Sequence, residues 1–196
     1  MGRTEKIAVL AVQGAFVEQE QRMRELGAEC VELRQKSDLG QDFAGLILPG
    51  GESTVQGKLL VELGLLEPLR DRIRNGLPVL GTCAGLILLS EEIVNEDYVW
   101  LGTLPVKVRR NAYGRQLGSF CVKKELKGIG TVPMTFIRAP YVESVEDTVE
   151  ILARVEDRIV AVRYENQLGL AFHPELDMDN RIHQMFLDMC RQSVCI

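Results

Sequence analysis

The stretch Gly81-Thr82-Cys83-Ala84-Gly85 has the form Gly-x-nucleophile-x-Gly. In that form a sharp strand-to-helix turn pushes one side chain outward, and small neighbours keep the turn free of clashes. Cys83 is therefore a candidate nucleophile. At a helix N-terminus it would face free backbone N–H groups and the positive end of the helix dipole, which favour thiolate over thiol. A lone cysteine beside a tight turn is more often a small buried side chain, so the reading needs a base and an acid elsewhere in the chain.

Phe172-His173-Pro174-Glu175 offers both. Proline disfavours helix for the residue before it, and residues two apart in an extended segment share a face, so Glu175 is expected to orient His173. A nucleophile needs a base within hydrogen-bond reach, and the base needs a third group to fix its tautomer. Cys83, His173 and Glu175 fill those three roles. The other histidine, His183, falls in the last helical stretch and is read as structural. A third piece is Pro49-Gly50-Gly51-Glu52-Ser53-Thr54, a strand-end turn whose glycines let backbone N–H groups approach a ligand closely and which can build an oxyanion hole. It is not a phosphate loop, because Gly-x-x-x-x-Gly-Lys-Ser/Thr is absent.

These residues must be held by elements, and the first ninety positions alternate short apolar runs ending in glycine-rich turns with amphipathic stretches, the pattern of βαβ units. Strands are expected at Ile7 to Val12, Cys30 to Leu33, Gly45 to Leu48 and Pro78 to Leu80. Helices are expected at Phe16 to Leu26, from a Ser53 or Thr54 cap to Leu63, at Leu66 to Arg74 and at Leu86 to Leu89. Beyond Trp100 come strand-like runs at Thr103 to Val108, Gln116 to Val122, Met134 to Ile137, Val149 to Val155, Ile159 to Val162 and Leu168 to Phe172, then a helix from Asn180 to Arg191 capped by Asp179. The expected fold class is α/β: a three-layer, flavodoxin-like domain with a mostly parallel central sheet and a mixed or antiparallel extension.

At 196 residues, 46% hydrophobic and 26% charged, the chain reads as one domain, 1–196, with one core. A formal net charge of −5 and a pI near 5.2 provide no basic face for nucleic acid or for an anionic membrane surface. The run from Ile7 to Val12 is too short and wrongly flanked for a signal peptide or a membrane span, so a cytoplasmic location is expected. Five cysteines without a Cys-x-x-Cys pair, and only two histidines, suggest neither a disulfide framework nor a metal site.

The elbow and the late His-Pro-Glu together resemble the class I glutamine amidotransferases. Leu48-Pro49-Gly50-Gly51-Glu52-Ser53-Thr54, Arg110-Asn111-Ala112-Tyr113-Gly114-Arg115-Gln116 and Phe136-Ile137-Arg138-Ala139-Pro140 narrow the resemblance to the glutaminase subunits of pyridoxal 5′-phosphate synthases. That resemblance implies L-glutamine as substrate, held by Gly51, Glu52, Ser53, Arg110, Ile137 and Arg138, with an oxyanion hole at the N–H groups of Gly51 and Ala84. It implies a cysteinyl thioester intermediate, no metal or organic cofactor, and a (β/α)₈-barrel synthase partner in a large hetero-oligomer. Arginine suits the carboxylate of a free amino acid, and a carboxylate suits its ammonium. The chain departs from the family at Glu18-Gln19, where Glu-His is usual, and at Val55, where a second threonine is usual. Both departures are read as lying outside the catalytic set, the first near the partner. Two rivals are weighed: an amidotransferase feeding another acceptor, against which the Arg110 and Phe136 motifs argue, and a flavodoxin-like module in which Cys83 is an oxidisable sensor.

Overall fold

The computed structural model describes residues 4–110 and 118–193. Asn111 to Gln116 of the middle motif, the beginning of the strand expected from Gln116, and Cys195 lie outside the described residues. In chain order the elements are β1 (Lys6–Leu10), α1 (Phe16–Glu25), β2 (Glu29–Leu33), β3 (Gly45–Leu48), α2 (Ser53–Glu62), α3 (Leu66–Arg74), β4 (Val79–Thr82), α4 (Ala84–Leu89), β5 (Ser90–Ile93), β6 (Leu104–Arg109), β7 (Ser119–Leu126), β8 (Gly130–Ile137), β9 (Tyr141–Val145), β10 (Glu150–Val155), β11 (Arg158–Tyr164), β12 (Gln167–Leu170) and α5 (Arg181–Ser193).

The main sheet runs β2-β1-β3-β4-β12-β11-β9-β6-β5, with β10 paired to β11. Its first five strands are parallel, and β11 pairs antiparallel with β12, β10 and β9. The expected parallel half with a mixed extension is therefore present. All four residues of β3 are buried, as befits a continuous apolar run covered on both faces. β6 alternates, with Leu104, Val106 and Val108 inward, because only one of its faces meets the core. In α5 the expected stripe holds: Ile182, Phe186 and Met189 are buried and Met185 partly so.

Three local readings are corrected. The cap of α2 is Glu52, whose Oε1 accepts from the Thr54 N–H at 3.2 Å, rather than Ser53 or Thr54. Strands β5 and β9 are additional: β5 exposes Glu91 and Glu92, and β9 alternates too weakly to stand out from its loops. Finally, Pro174–Leu176 forms a 3₁₀ turn instead of continuing extended. Proline restricts the residue before it, and His173 is indeed non-helical at φ −112° and ψ 83°, but the ring's own fixed φ suits the first position of a helical turn.

The strand order β2-β1-β3-β4-β12 reverses direction of travel between β1 and β3. In open parallel sheets ligands bind outside the carboxyl ends of the strands near such a reversal. The turns that leave β1, β3, β4 and β12 there carry Gln13, Gly50-Gly51, Cys83 and His173.

Candidate active site

Cys83 stands between β4 and α4 at φ 49° and ψ −97°, a strained backbone for a residue with a β-carbon. Its N–H donates to the Leu170 carbonyl at 2.8 Å, which ties the elbow to the end of β12. The tightness of the turn depends on Gly85, where a β-carbon would overlap the Leu48 carbonyl. Any larger residue at 85 would push α4 away from β3.

His173 follows β12 and is fixed through its own N–H, which donates to the Thr135 carbonyl at 2.8 Å. Its Nδ1 lies 2.7 Å from Glu175 Oε1, and the 3₁₀ turn is what folds the carboxylate back onto the ring. Burial works against a charged imidazole here, but hydrogen bonds to Cys83 and Glu175, reinforced by their negative charge, outweigh it and push the His173 pKa up to about 10. The ring also packs on Gly50, where a β-carbon would overlap its Cε1.

One cleft of about 210 Å³ is lined by Gly51, Glu52, Ser53, Cys83, Arg110, Ile137, Arg138 and His173, together with Gln13, Ile87 and Pro140. Every expected glutamine-binding position therefore borders the same space as Cys83 and His173. Ala84 begins α4 beneath it, and Glu175 lies behind His173. Arg110 is held by Glu52 Oε1 at 3.0 Å, Tyr98 Oη at 3.0 Å, Thr54 Oγ1 at 3.2 Å and Glu96 Oε1 at 3.5 Å. Arg138 is exposed at φ 43° and has no ion-pair partner among the described residues. Its turn is braced by Phe136, which stacks on Phe120 at 4.7 Å and tilts against Phe172 at 5.6 Å.

Sequence reasoning missed three residues. Gln13 Oε1 accepts from the Glu52 N–H at 2.9 Å, so the turn after β1 buttresses the turn after β3. Gln56 Nε2 locks the same two turns by donating to the Gln13 and Pro49 carbonyls at 2.9 and 3.2 Å. A polar residue closing the first parallel strand was the available signal for Gln13, whereas nothing in the helical pattern marks Gln56. Gln19, read from sequence as outside the catalytic set, is fully buried and donates to Glu175 Oε2 at 2.9 Å. Among the described residues no cluster of side chains could hold a metal ion.

The SNO glutamine amidotransferase family profile matches residues 9–192. A pyridoxal 5′-phosphate synthase subunit PdxT from Desulfitobacterium hafniense is 64% identical over 183 residues, covering 93% of this chain and 92% of that one. A protein of the same name from Streptococcus pneumoniae is 54% identical over 190 residues, covering 95% and 98%. A solved glutamine amidotransferase superposes with a TM-score of 0.90 at 44% identity, covering 94% of this chain and 98% of that chain. By profile, sequence and fold alike, the chain belongs to the SNO glutamine amidotransferase family.

Proposed function

We propose that this chain, acting as a single domain, hydrolyses L-glutamine to L-glutamate and ammonia and passes the ammonia to a synthase subunit that makes pyridoxal 5′-phosphate. The observation that carries the reading is the convergence of Cys83 and His173 with Gly51, Glu52, Ser53, Arg110, Ile137 and Arg138 on one cleft. The names of the relatives support the destination of the ammonia.

In this reading the Cys83 thiolate attacks the side-chain carboxamide carbon of glutamine. The developing oxyanion is held by the N–H groups of Ala84 and Gly51. His173, hydrogen-bonded to the Glu175 carboxylate, gives its proton to the departing nitrogen, and ammonia leaves as the C–N bond breaks. Water then attacks the γ-glutamyl thioester while His173, oriented by Glu175, removes its proton, and the C–S bond breaks to release glutamate. Glu52 offers a carboxylate to the substrate ammonium, and the Arg138 guanidinium, which has no ion-pair partner among the described residues, suits its α-carboxylate.

Ammonia released into neutral water is mostly protonated and loses its nucleophilicity, so a free-standing glutaminase is a poor nitrogen donor. A partner is therefore implied, and by the family resemblance we assign it as a (β/α)₈-barrel synthase subunit in a large hetero-oligomer. A cytoplasmic location is part of the proposal; no helix among the described residues is long and apolar enough to cross a membrane, and Cys30, Cys83, Cys121 and Cys190 are all unpaired. The test is glutamate release from glutamine by the chain with and without the synthase subunit, and pyridoxal 5′-phosphate formation by the mixture without added ammonia. Cys83→Ala should abolish both and leave partner binding intact. Normal turnover by that variant would sink the mechanism.

A further inference from the structure

A buried polar chain runs behind the triad, away from the cleft, through side chains that the chemistry above does not use. Gln19 on α1 donates one Nε2 hydrogen to Glu175 Oε2 at 2.9 Å and the other to Thr82 Oγ1 at 3.1 Å. Its Oε1 lies 2.8 Å from Nε2 of His183 on α5. Gln19, Thr82, Glu175 and His183 are all buried. One turn along α1, Arg22 Nε donates to the Glu175 carbonyl at 3.2 Å.

We propose that Gln19 is a positioning residue for the triad and that His183 is the strut that fixes its orientation. The proposal rests on the glutaminase reading above. A carboxylate that hydrogen-bonds through Oε1 alone can still rotate about its last torsion; a donor on Oε2 fixes its plane, and with it the imidazole. Because Gln19 also grips Thr82, the residue before Cys83, the acid is tied to the strand that carries the nucleophile. Only one orientation of the Gln19 amide serves. Turned over, its oxygen would face the Glu175 carboxylate with no hydrogen between them, so the NH₂ points to Glu175 and the oxygen to His183 Nε2. His183 therefore carries its proton on Nε2, and its Nδ1 is left buried without a hydrogen-bond partner among the described residues. A histidine held neutral agrees with this: burial, aided by the Arg22 charge and opposed by Glu25, brings its pKa down to about 4. Leaving a buried ring nitrogen unpaired costs stability that an apolar residue at 183 would not, which is why the network reads as serving the triad rather than the core.

The test is glutaminase kinetics of the full chain, with and without the synthase subunit. Gln19→Met keeps the size and removes both donors; kcat should fall at least about tenfold, with KM for glutamine within about twofold because residue 19 does not line the cleft. Gln19→Met combined with His183→Leu removes the orphaned Nε2–H, and should regain thermal stability without regaining kcat. A Gln19→Met enzyme with wild-type kcat, or a kcat that returns together with the melting temperature in the double variant, would overturn the proposal. Cys83→Ala run alongside separates the two readings, since its turnover of glutamine would fell the glutaminase assignment itself whatever residue 19 does.

Discussion

His173 Nδ1 lies 2.7 Å from Glu175 Oε1, and the carboxylate side chain has no exposed surface. With Nδ1 committed to the acid, Nε2 is the nitrogen left for Cys83. Glu175→Gln preserves volume but lets an amide NH₂ face Nδ1, which selects the wrong tautomer and removes the charge that stabilises the imidazolium. We expect kcat to drop by about 10³–10⁴ with KM little changed, as for other triads that lose their acid. Steady-state glutamate release measures it, and a loss below tenfold would remove Glu175 from the orienting role.

The raised pKa of His173 gives a signed pH dependence. A base whose folded pKa exceeds its unfolded value contributes stability that is fully present below about 6.5 and is lost as pH rises through its folded value. For His173 that folded value is about 10. Thermal stability should therefore decline between about pH 6.5 and 10. Cys30 and Cys190, pushed by burial up to about 11 and about 12, stay protonated in the fold while the unfolded chain ionises its thiols above about 8.5, so they add to the decline equally in the parent and in a Cys83 variant. Cys83→Ala removes one of the groups that raise His173, so its decline should finish at lower pH. Melting temperatures across the range decide this; superimposable profiles for the two proteins would contradict the coupling.

The sequence made the parallel half of the fold legible because β1, β3 and β4 are apolar runs that stop at glycine turns, and those stops border the cleft. Cys83, His173 and Glu175 were legible because the Gly-x-Cys-x-Gly turn follows β4 and the His-Pro-Glu run follows β12, and each motif lends the other its meaning. Gln19 was not. It sits at a position of α1 that reads as a polar helix residue, and only the packing of α1 over the Pro174–Leu176 turn brings it to Glu175. The 3₁₀ turn itself was obscured because Pro174 restricts its predecessor and permits its own helical φ at once.

Arg138 is the cation in the cleft without an ion-pair partner among the described residues, whereas Arg110 is already paired with Glu52 and Glu96. Charge-assisted hydrogen bonds are worth about 1.5–3 kcal/mol, or roughly 10- to 100-fold in binding. Arg138→Met should raise KM for glutamine by that factor while kcat moves less than about threefold. Arg138→Lys retains the charge without the planar fork and should fall between. An unchanged KM in Arg138→Met would reassign the carboxylate to another group.

His183 predicts acid sensitivity of opposite sign to His173. Its folded pKa is depressed to about 4, mainly by burial, so its contribution to stability is fully present above about 6.5 and is lost as pH falls toward 4. The cause is that the unfolded chain can protonate the ring while the folded interior resists it. His183→Leu, which removes the titration, should flatten the loss of melting temperature between about pH 6.5 and 4 even if it lowers the value at neutral pH. A variant that keeps the full wild-type acid slope would show that other groups govern it.

Gly50 and His173 are in contact, and the contact leaves no room for a side chain: a β-carbon at 50 would lie 2.8 Å from Nδ1 and closer still to Cε1. Backbone at a strand end cannot retreat easily, because the Gly50 carbonyl accepts from the Ala15 N–H at 2.9 Å. The ring must move instead, and it can move only by lengthening its bond to Glu175 or its approach to Cys83. Misplacing a catalytic group by about 1 Å costs on the order of 10²-fold in rate. Gly50→Ala should therefore lower kcat by about that factor, while overpacking takes about 1–3 kcal/mol from stability. Denaturant unfolding and glutamine turnover measured on the same preparation separate the two effects. A folded Gly50→Ala protein with wild-type kcat would mean that the imidazole is free to shift without penalty, and that the Gly50 contact does not set its position.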